Sequence, residues 1–273
     1  MTEVDPSVAG DDDHWMLLER FSSSDLPLVV RSRINPVAAE FAEANRVVAV
    51  IFDLRPEHVR DDGLPTCLDD LHKLEDRIVE AIDECGLNAF HTASVTGDGR
   101  RVQYFAIDPA LDLAATIGEI SSPLGELSVY SELDFATYLE FVSPTPLDRQ
   151  FNGDRSVISN LEKQGDDGAV ARKIDFWFYG NRSALMPLVD QLKHSGFALD
   201  HWLDEPAGVV LTIDAPANMS SFGEITPLLV QTAGEFGVEY DGWETLVLTD
   251  IAPQPELASK PSLFGRLFGQ RKQ

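Results

Sequence analysis

The 273-residue chain carries 21 basic and 46 acidic side chains, a formal net charge of −25, with 44% apolar and 9% aromatic residues. That is enough apolar content and length for two ordinary domains, and too much for a disordered chain. The charge argues against a phosphate-backbone binder, because nucleic-acid affinity comes mainly from Lys and Arg displacing counterions.

The acidity is uneven. Residues 1–145 carry 10 basic and 28 acidic side chains, residues 146–253 carry 7 and 17, and the last twenty carry 4 and 1. Such a surface attracts basic partners and speeds encounter with them, although the same charge also serves solubility alone. The opening MTEVDPSVAGDDDHW has neither the basic nor the apolar region of a signal peptide. No run approaches the roughly 18 apolar residues of a membrane span. If Cys67 and Cys85 share one helix, they lie about 27 Å apart, beyond disulfide reach. The expectation is a cytoplasmic protein with reduced, core cysteines and no cofactor.

In chain order, residues 1–13 read as an acidic tail. Strands are expected over His14–Phe21, Leu26–Ile34 and Arg46–Leu54, then a turn at Asp61-Asp62-Gly63. Thr66 followed by Asp69 fits a capping box. Leu71, Leu74, Ile78, Ile82 and Cys85 then recur on one helical face, which Gly86 ends. Asn88–Thr96 and Arg100–Ile107 form a hairpin around Gly97-Asp98-Gly99. A strand follows this G-x-G, which argues against a phosphate loop. A helix from Pro109 to about Ile120, a strand over Leu124–Glu132 and a helix over Asp134–Val142 complete the first half. Ser143-Pro144-Thr145-Pro146 reads as a linker, placed at 143–147.

In the second half Asp154 is expected to cap a helix running to Gln164. Lys173–Gly180 alternates, with Ile174, Phe176 and Phe178 on one face and Lys173, Asp175, Trp177 and Tyr179 on the other. Arg182–Ser195 and Ser220–Phe236 read as helices, and Phe197–Leu203 and Gly208–Asp214 as strands. Glu239–Gly242 reads as a polar turn, and Trp243–Leu248 as the last strand. Both halves then share the order β-α-β-β-α-β. The expected fold class is α+β: two consecutive ferredoxin-like (βαββαβ) modules with antiparallel sheets. Residues 251–273 read as a flexible basic tail. Its end pairs Leu263, Phe264, Leu267 and Phe268 with Arg266, Arg271 and Lys272, as in a short helix for a protein or membrane surface.

No enzyme motif appears. The histidines His14, His58, His72, His91, His194 and His201 are scattered, and no metal or nucleophile signature is present. Candidate partner-binding residues are Glu239, Asp241, Trp243 and Glu244, with Asp166 and Asp167 as a second acidic patch. Carboxylates accept bidentate bonds from Arg, and Trp supplies an anchor. The alternative reading makes Trp243 core and the carboxylates a solvated turn. Trp177 and Tyr179 lie on a strand face that this fold can leave open. Aromatics there stack bases in RNA-recognition modules, but the charge opposes RNA and favours packing or protein contact.

LEKQGDD (161–167), KIDFWFYG (173–180) and GVEYDGWETLVL (237–248) resemble the regulator of ribonuclease E activity B family across Asp148–Thr249. The resemblance implies a non-catalytic protein that binds a ribonuclease E-type endonuclease and restrains RNA decay, and the acidic charge points to that enzyme's basic region as the contact. Two positions depart from the family: Ala171-Arg172 stands where it tends to have Pro-Arg, and Phe176 where it has His. LPLVVR, DGLPT, HKLEDRIVEAI, VTGDGRRVQYF and DFATYLEFV resemble domain-of-unknown-function family 695 across about 14–142, which implies no activity. A second reading is a small-molecule sensor using the cleft between the modules. A homodimer stays open.

Overall fold

The computed structural model describes residues 14–86, 88–131 and 133–248; the acidic N-terminal tail and the basic C-terminal tail expected from sequence lie outside them. The N-terminal part comprises β1 (His14–Phe21), β2 (Pro27–Ile34), α1 (Pro36–Ala44), β3 (Arg46–Leu54), α2 (Leu68–Asp83) and β4 (Ala89–Gly97). It continues with β5 (Arg100–Ile107), α3 (Leu113–Ile117), β6 (Gly125–Tyr130) and α4 (Phe135–Val142). Its six strands form one antiparallel sheet ordered β1-β2-β4-β5-β3-β6. Strands β3 to β6 with α2 and α3 make the expected βαββαβ unit, and the β1–β2 hairpin extends it beyond β4.

Both faces of this sheet are covered. Val48, Val50, Phe52, Phe105 and Ile107 pack under α2 and α3, against Leu71, Leu74 and Ile78. On the opposite face Val47, Ala49, Phe90, Ala93 and Val95 pack with Phe41 of α1 and Tyr138 of α4. That double burial explains why β3, RVVAVIFDL, is apolar nearly throughout. The hairpin between β4 and β5 turns on Asp98 (φ 51°) and Gly99 (φ 72°), a mirror-image turn that matches strand twist. Gly97 before it (φ 143°) has no room for a side chain: a Cβ there would lie 2.5 Å from the Pro27 carbonyl oxygen.

The C-terminal part comprises α5 (Pro146–Lys163), β7 (Arg172–Tyr179), α6 (Arg182–His194), β8 (Ala198–Leu203), β9 (Gly208–Ala215), α7 (Met219–Phe236) and β10 (Glu239–Thr245). Its antiparallel sheet is ordered β10-β7-β9-β8, again the ferredoxin-like arrangement. Ile174, Phe176 and Phe178 are fully buried against Leu185 and Leu188 of α6 and Phe222 and Leu229 of α7.

Several local expectations change. Pro36–Ala44 is a helix, capped by the Asn35 side chain on the Val37 and Ala38 amides. Helix α2 starts after Cys67, and no side chain caps it, so the Thr66–Asp69 capping box does not form. Helix α3 is shorter than the stretch from Pro109 suggests, spanning Leu113–Ile117 behind an Asp112 cap. The capping box that does form is Thr145–Asp148, with Pro146 in the first turn. Helix α5 therefore begins inside the expected linker, and Asp154 lies mid-helix rather than at its start. Glu239–Gly242 is strand, because pairing with β7 overrides the turn preference; a bulge at Asp241 absorbs the mismatch and Gly242 takes φ 120°. Cys85 is exposed rather than core, whereas Cys67 is half-buried against the core under α2 and α3, and both are free.

The two parts meet where α5 lies along β1. The Arg20 guanidinium forks onto Asp148 at 3.0 and 2.9 Å. The Asn152 amide pairs with the Leu17 backbone, accepting from its N–H at 3.1 Å and donating to its carbonyl at 2.6 Å. Arg155 reaches Glu19 at 2.5 Å. The two Asn152 bonds satisfy Leu17 backbone groups that β1, an edge strand, would otherwise leave open to pairing. A pocket of about 230 Å³ lies at this junction, between Leu17 and Arg20 of β1 and Asp148, Phe151 and Arg155 of α5, with the ion pairs along its wall.

Candidate functional site

The helices α5, α6 and α7 occupy one side of the C-terminal sheet. The other side is a platform set by strand alternation and register. Down its centre on β7 run Lys173, Asp175, Trp177 and Tyr179, with Trp177 and Tyr179 half-buried. Registered beside them on β10 are Glu239 next to Tyr179, Gly242 next to Trp177, and Glu244 next to Asp175. On the other flank β9 places Val210 beside Trp177, Thr212 beside Asp175 and Asp214 beside Lys173. Trp177 and His201 of β8 meet edge to face, 6.2 Å between ring centres.

Charge on this platform is nearly all negative. Lys173 is its one Lys or Arg among the described residues, and it bridges Asp175 at 3.0 Å and Asp200 at 2.8 Å. Hydrogen bonds from Lys173 and His201 hold the Asp200 carboxyl below its ordinary value. Glu239, Asp241 and Glu244 are exposed along the β10 edge. The result is an aromatic centre with an acidic rim. It can bury an apolar or guanidinium group against Trp177 and bond cations at its edge.

Sequence-predicted contact residues divide in two. Trp177, Tyr179, Glu239 and Glu244 come together on the platform, and Asp241 projects from the adjoining bulge. Asp167 is exposed but sits in a separate turn, accepting from the Ala169 amide at 2.9 Å. Trp243 and Asp166 face inward and are corrected here. Trp243 is 8% exposed, stacks on Phe222 with ring centres 4.1 Å apart, and donates from Nε1 to Asp154 at 2.8 Å. Strand alternation requires this: Trp243 pairs with Phe176, which faces the helices.

Asp154 itself is 1% exposed and also accepts from Thr226 at 2.7 Å, tying α5 to α7 and β10. Burial raises its carboxyl above the ordinary value despite both donors. Asp166, 3% exposed, is gripped by the Arg172 fork and accepts from the Gly168 and Leu248 amides at 3.0 and 2.7 Å. The Arg172 hydrogen bond leads in holding its carboxyl well below the usual range. Arg172 is therefore structural here, and Phe176 is wholly buried and fills core volume.

A second polar cluster joins residues that nothing in the linear sequence marks as neighbours. Glu75 of α2 is 5% exposed beneath the N-terminal sheet. It takes bonds from Arg101 Nε at 2.9 Å, Arg31 at 2.8 Å and the Ser94 hydroxyl at 3.3 Å. Burial opposes its charge, yet the Arg101 and Arg31 guanidinium groups outweigh burial and keep the carboxyl low. Ser94 Oγ lies 2.9 Å from His91 Nε2. Serine, histidine and glutamate are thus adjacent without forming a nucleophilic triad. Nε2 also faces the Ala93 carbonyl at 3.1 Å, so it carries the proton and cannot serve as a base for Ser94. Burial lowers the His91 pKa to about 4, which leaves it neutral at pH 7. Among the described residues no group of His, Cys, Asp and Glu is arranged to hold a metal, and no helix is long and apolar enough to cross a membrane.

Comparison with known proteins gives no match among curated sequences. It lends no support to the resemblance of residues 14–142 to family 695. The family model described as Regulator of ribonuclease activity B matches residues 152–245, from Asn152 in α5 to Thr245 at the end of β10.

Proposed function

We propose that the protein is a non-catalytic regulator that binds a ribonuclease, with the open face of the C-terminal sheet as its docking surface. The observation that carries this reading is the coincidence of the family match with that platform. The matched segment contains all four strands and the Trp177–Tyr179 centre. The partner element we assign is a basic segment of a ribonuclease E-type endonuclease. Its arginines would bond Asp175, Glu239, Asp241 and Glu244, and one would lie on Trp177. A regulator holding such a segment lowers RNA turnover by occupying cations that otherwise grip RNA, and it needs no chemistry of its own.

RNA as a direct ligand is disfavoured by the same carboxylates, which repel phosphates beside the aromatic pair. The test is capture of the endonuclease's basic region by the full chain at low salt. Wild type should retain it. Trp177→Ala and the double variant Glu239→Lys, Glu244→Lys should lose it while keeping native circular dichroism. Equal retention by wild type and variants would reject the surface, and no retention by wild type would reject the partner.

A further inference from the structure

Where β1 and β2 extend beyond α2, the N-terminal sheet is left partly uncovered. The segment between β3 and α2 folds over this area and encloses a cavity of about 240 Å³. Its polar lining is Arg31, Arg60, Arg101, Ser94, Thr96 and His72. Leu17 and Val29 from the hairpin, with Leu64, Pro65 and Leu68 opposite, supply apolar walls. Register explains the convergence: Arg31 stands between Leu17 on β1 and Ser94 on β4, and Thr96 pairs with Arg101.

Three guanidinium groups on one small cavity are unexpected in a chain with 46 acidic and 21 basic residues. Among the described residues two carboxylates answer them. Glu75 is already bonded by Arg101, Arg31 and Ser94, and Asp62 pairs with Arg60 at the rim. One positive charge is left over. One buried donor of a lining residue also lacks a partner, Arg31 Nε. Buried donors normally find acceptors. Arg31 is held in place by Trp15, whose ring centre lies 4.4 Å from its guanidinium carbon, so its orientation is fixed before any ligand arrives.

We propose that this cavity binds a small organic monocarboxylate with a short apolar body. The carboxylate takes the forked Arg31 and Arg60 donors, and the body lies against Leu17, Leu64 and Leu68. The cavity is below the roughly 300 Å³ at which drug-sized ligands begin, so a nucleotide is too large. This site is independent of the platform on the C-terminal sheet.

The test is a titration of the full chain with benzoate, followed by amide NMR, with benzamide as the neutral isostere and inorganic phosphate as the apolar-free anion. Benzoate should shift the Ser94, Thr96 and Arg101 amides saturably, with Kd of about 1 mM or tighter. Benzamide and phosphate should bind at least about tenfold more weakly. Arg31→Gln and, separately, the exposed Arg60→Gln should each weaken benzoate by about tenfold while the spectrum stays dispersed. No saturable shift at about 10 mM benzoate would overturn the proposal. So would equal binding of benzamide or phosphate, or wild-type affinity in both variants.

Discussion

Trp243 and Asp154 illustrate how one buried bond organises three elements. Trp243→Phe keeps the ring stack on Phe222 but leaves a buried Asp154 oxygen without its donor, which costs about 1–3 kcal/mol. Urea unfolding of the variant should show that loss. Tyr240 makes the opposite case. Its hydroxyl is buried on the helix side of β10 without a hydrogen-bond partner. Tyr240→Phe should therefore raise the stability by about 1 kcal/mol, seen as a higher urea midpoint at constant m-value. Acid sensitivity follows from Asp166 and Glu75, whose folded pKa values are depressed. Groups of that kind stabilise the fold above the unfolded carboxylate value near about 4 and lose that stabilisation as pH falls through the folded value. Asp166→Asn breaks a buried pair, so at pH 7 it should cost about 3–5 kcal/mol. The gap from wild type should narrow as pH drops below about 4, measured by urea unfolding across pH.

At the scale of elements, the order β-α-β-β-α-β was legible twice because each unit shows its own period. Ile174, Phe176 and Phe178 alternate, and Leu71, Leu74 and Ile78 step along a helix. What stayed hidden depends on partners distant in sequence. The Glu239–Gly242 stretch has turn residues but becomes strand by pairing with β7. Pro146 looks like a linker residue, yet it opens α5 behind the Thr145 cap. Trp243 could be placed inward only once its register against Phe176 was known. The acidic and aromatic halves of the platform were named from sequence, but the Arg31, Glu75, Ser94 and Arg101 cluster was not. Its members come from β2, α2, β4 and β5, and a lone Arg or Glu on a strand or helix carries no local signal. Helix α5 gives the sharpest test at this scale. Thr145→Ala removes a reciprocal cap at the junction, and thermal unfolding should show a loss of about 1 kcal/mol.

For the whole molecule, the distribution of charge separates two roles. Net charge of −25 sets a field that draws cations from a distance, and in the proposed reading the exposed Glu239, Asp241 and Glu244 edge is where they land. Lys173 of the platform is engaged with Asp175 and Asp200, so it does not repel an incoming arginine as a free ammonium would. The N-terminal part is fixed to α5 through Arg20, Asn152 and Arg155 on the helix side, away from the platform. Its described residues therefore leave the proposed docking face uncovered. The most direct measurement is the equilibrium affinity of the full chain for the basic region of a ribonuclease E-type endonuclease as a function of salt. The account predicts binding that weakens steadily as salt rises and that falls by at least about tenfold in Trp177→Ala at every salt concentration. Affinity independent of salt, or unchanged by removal of Trp177, would contradict it.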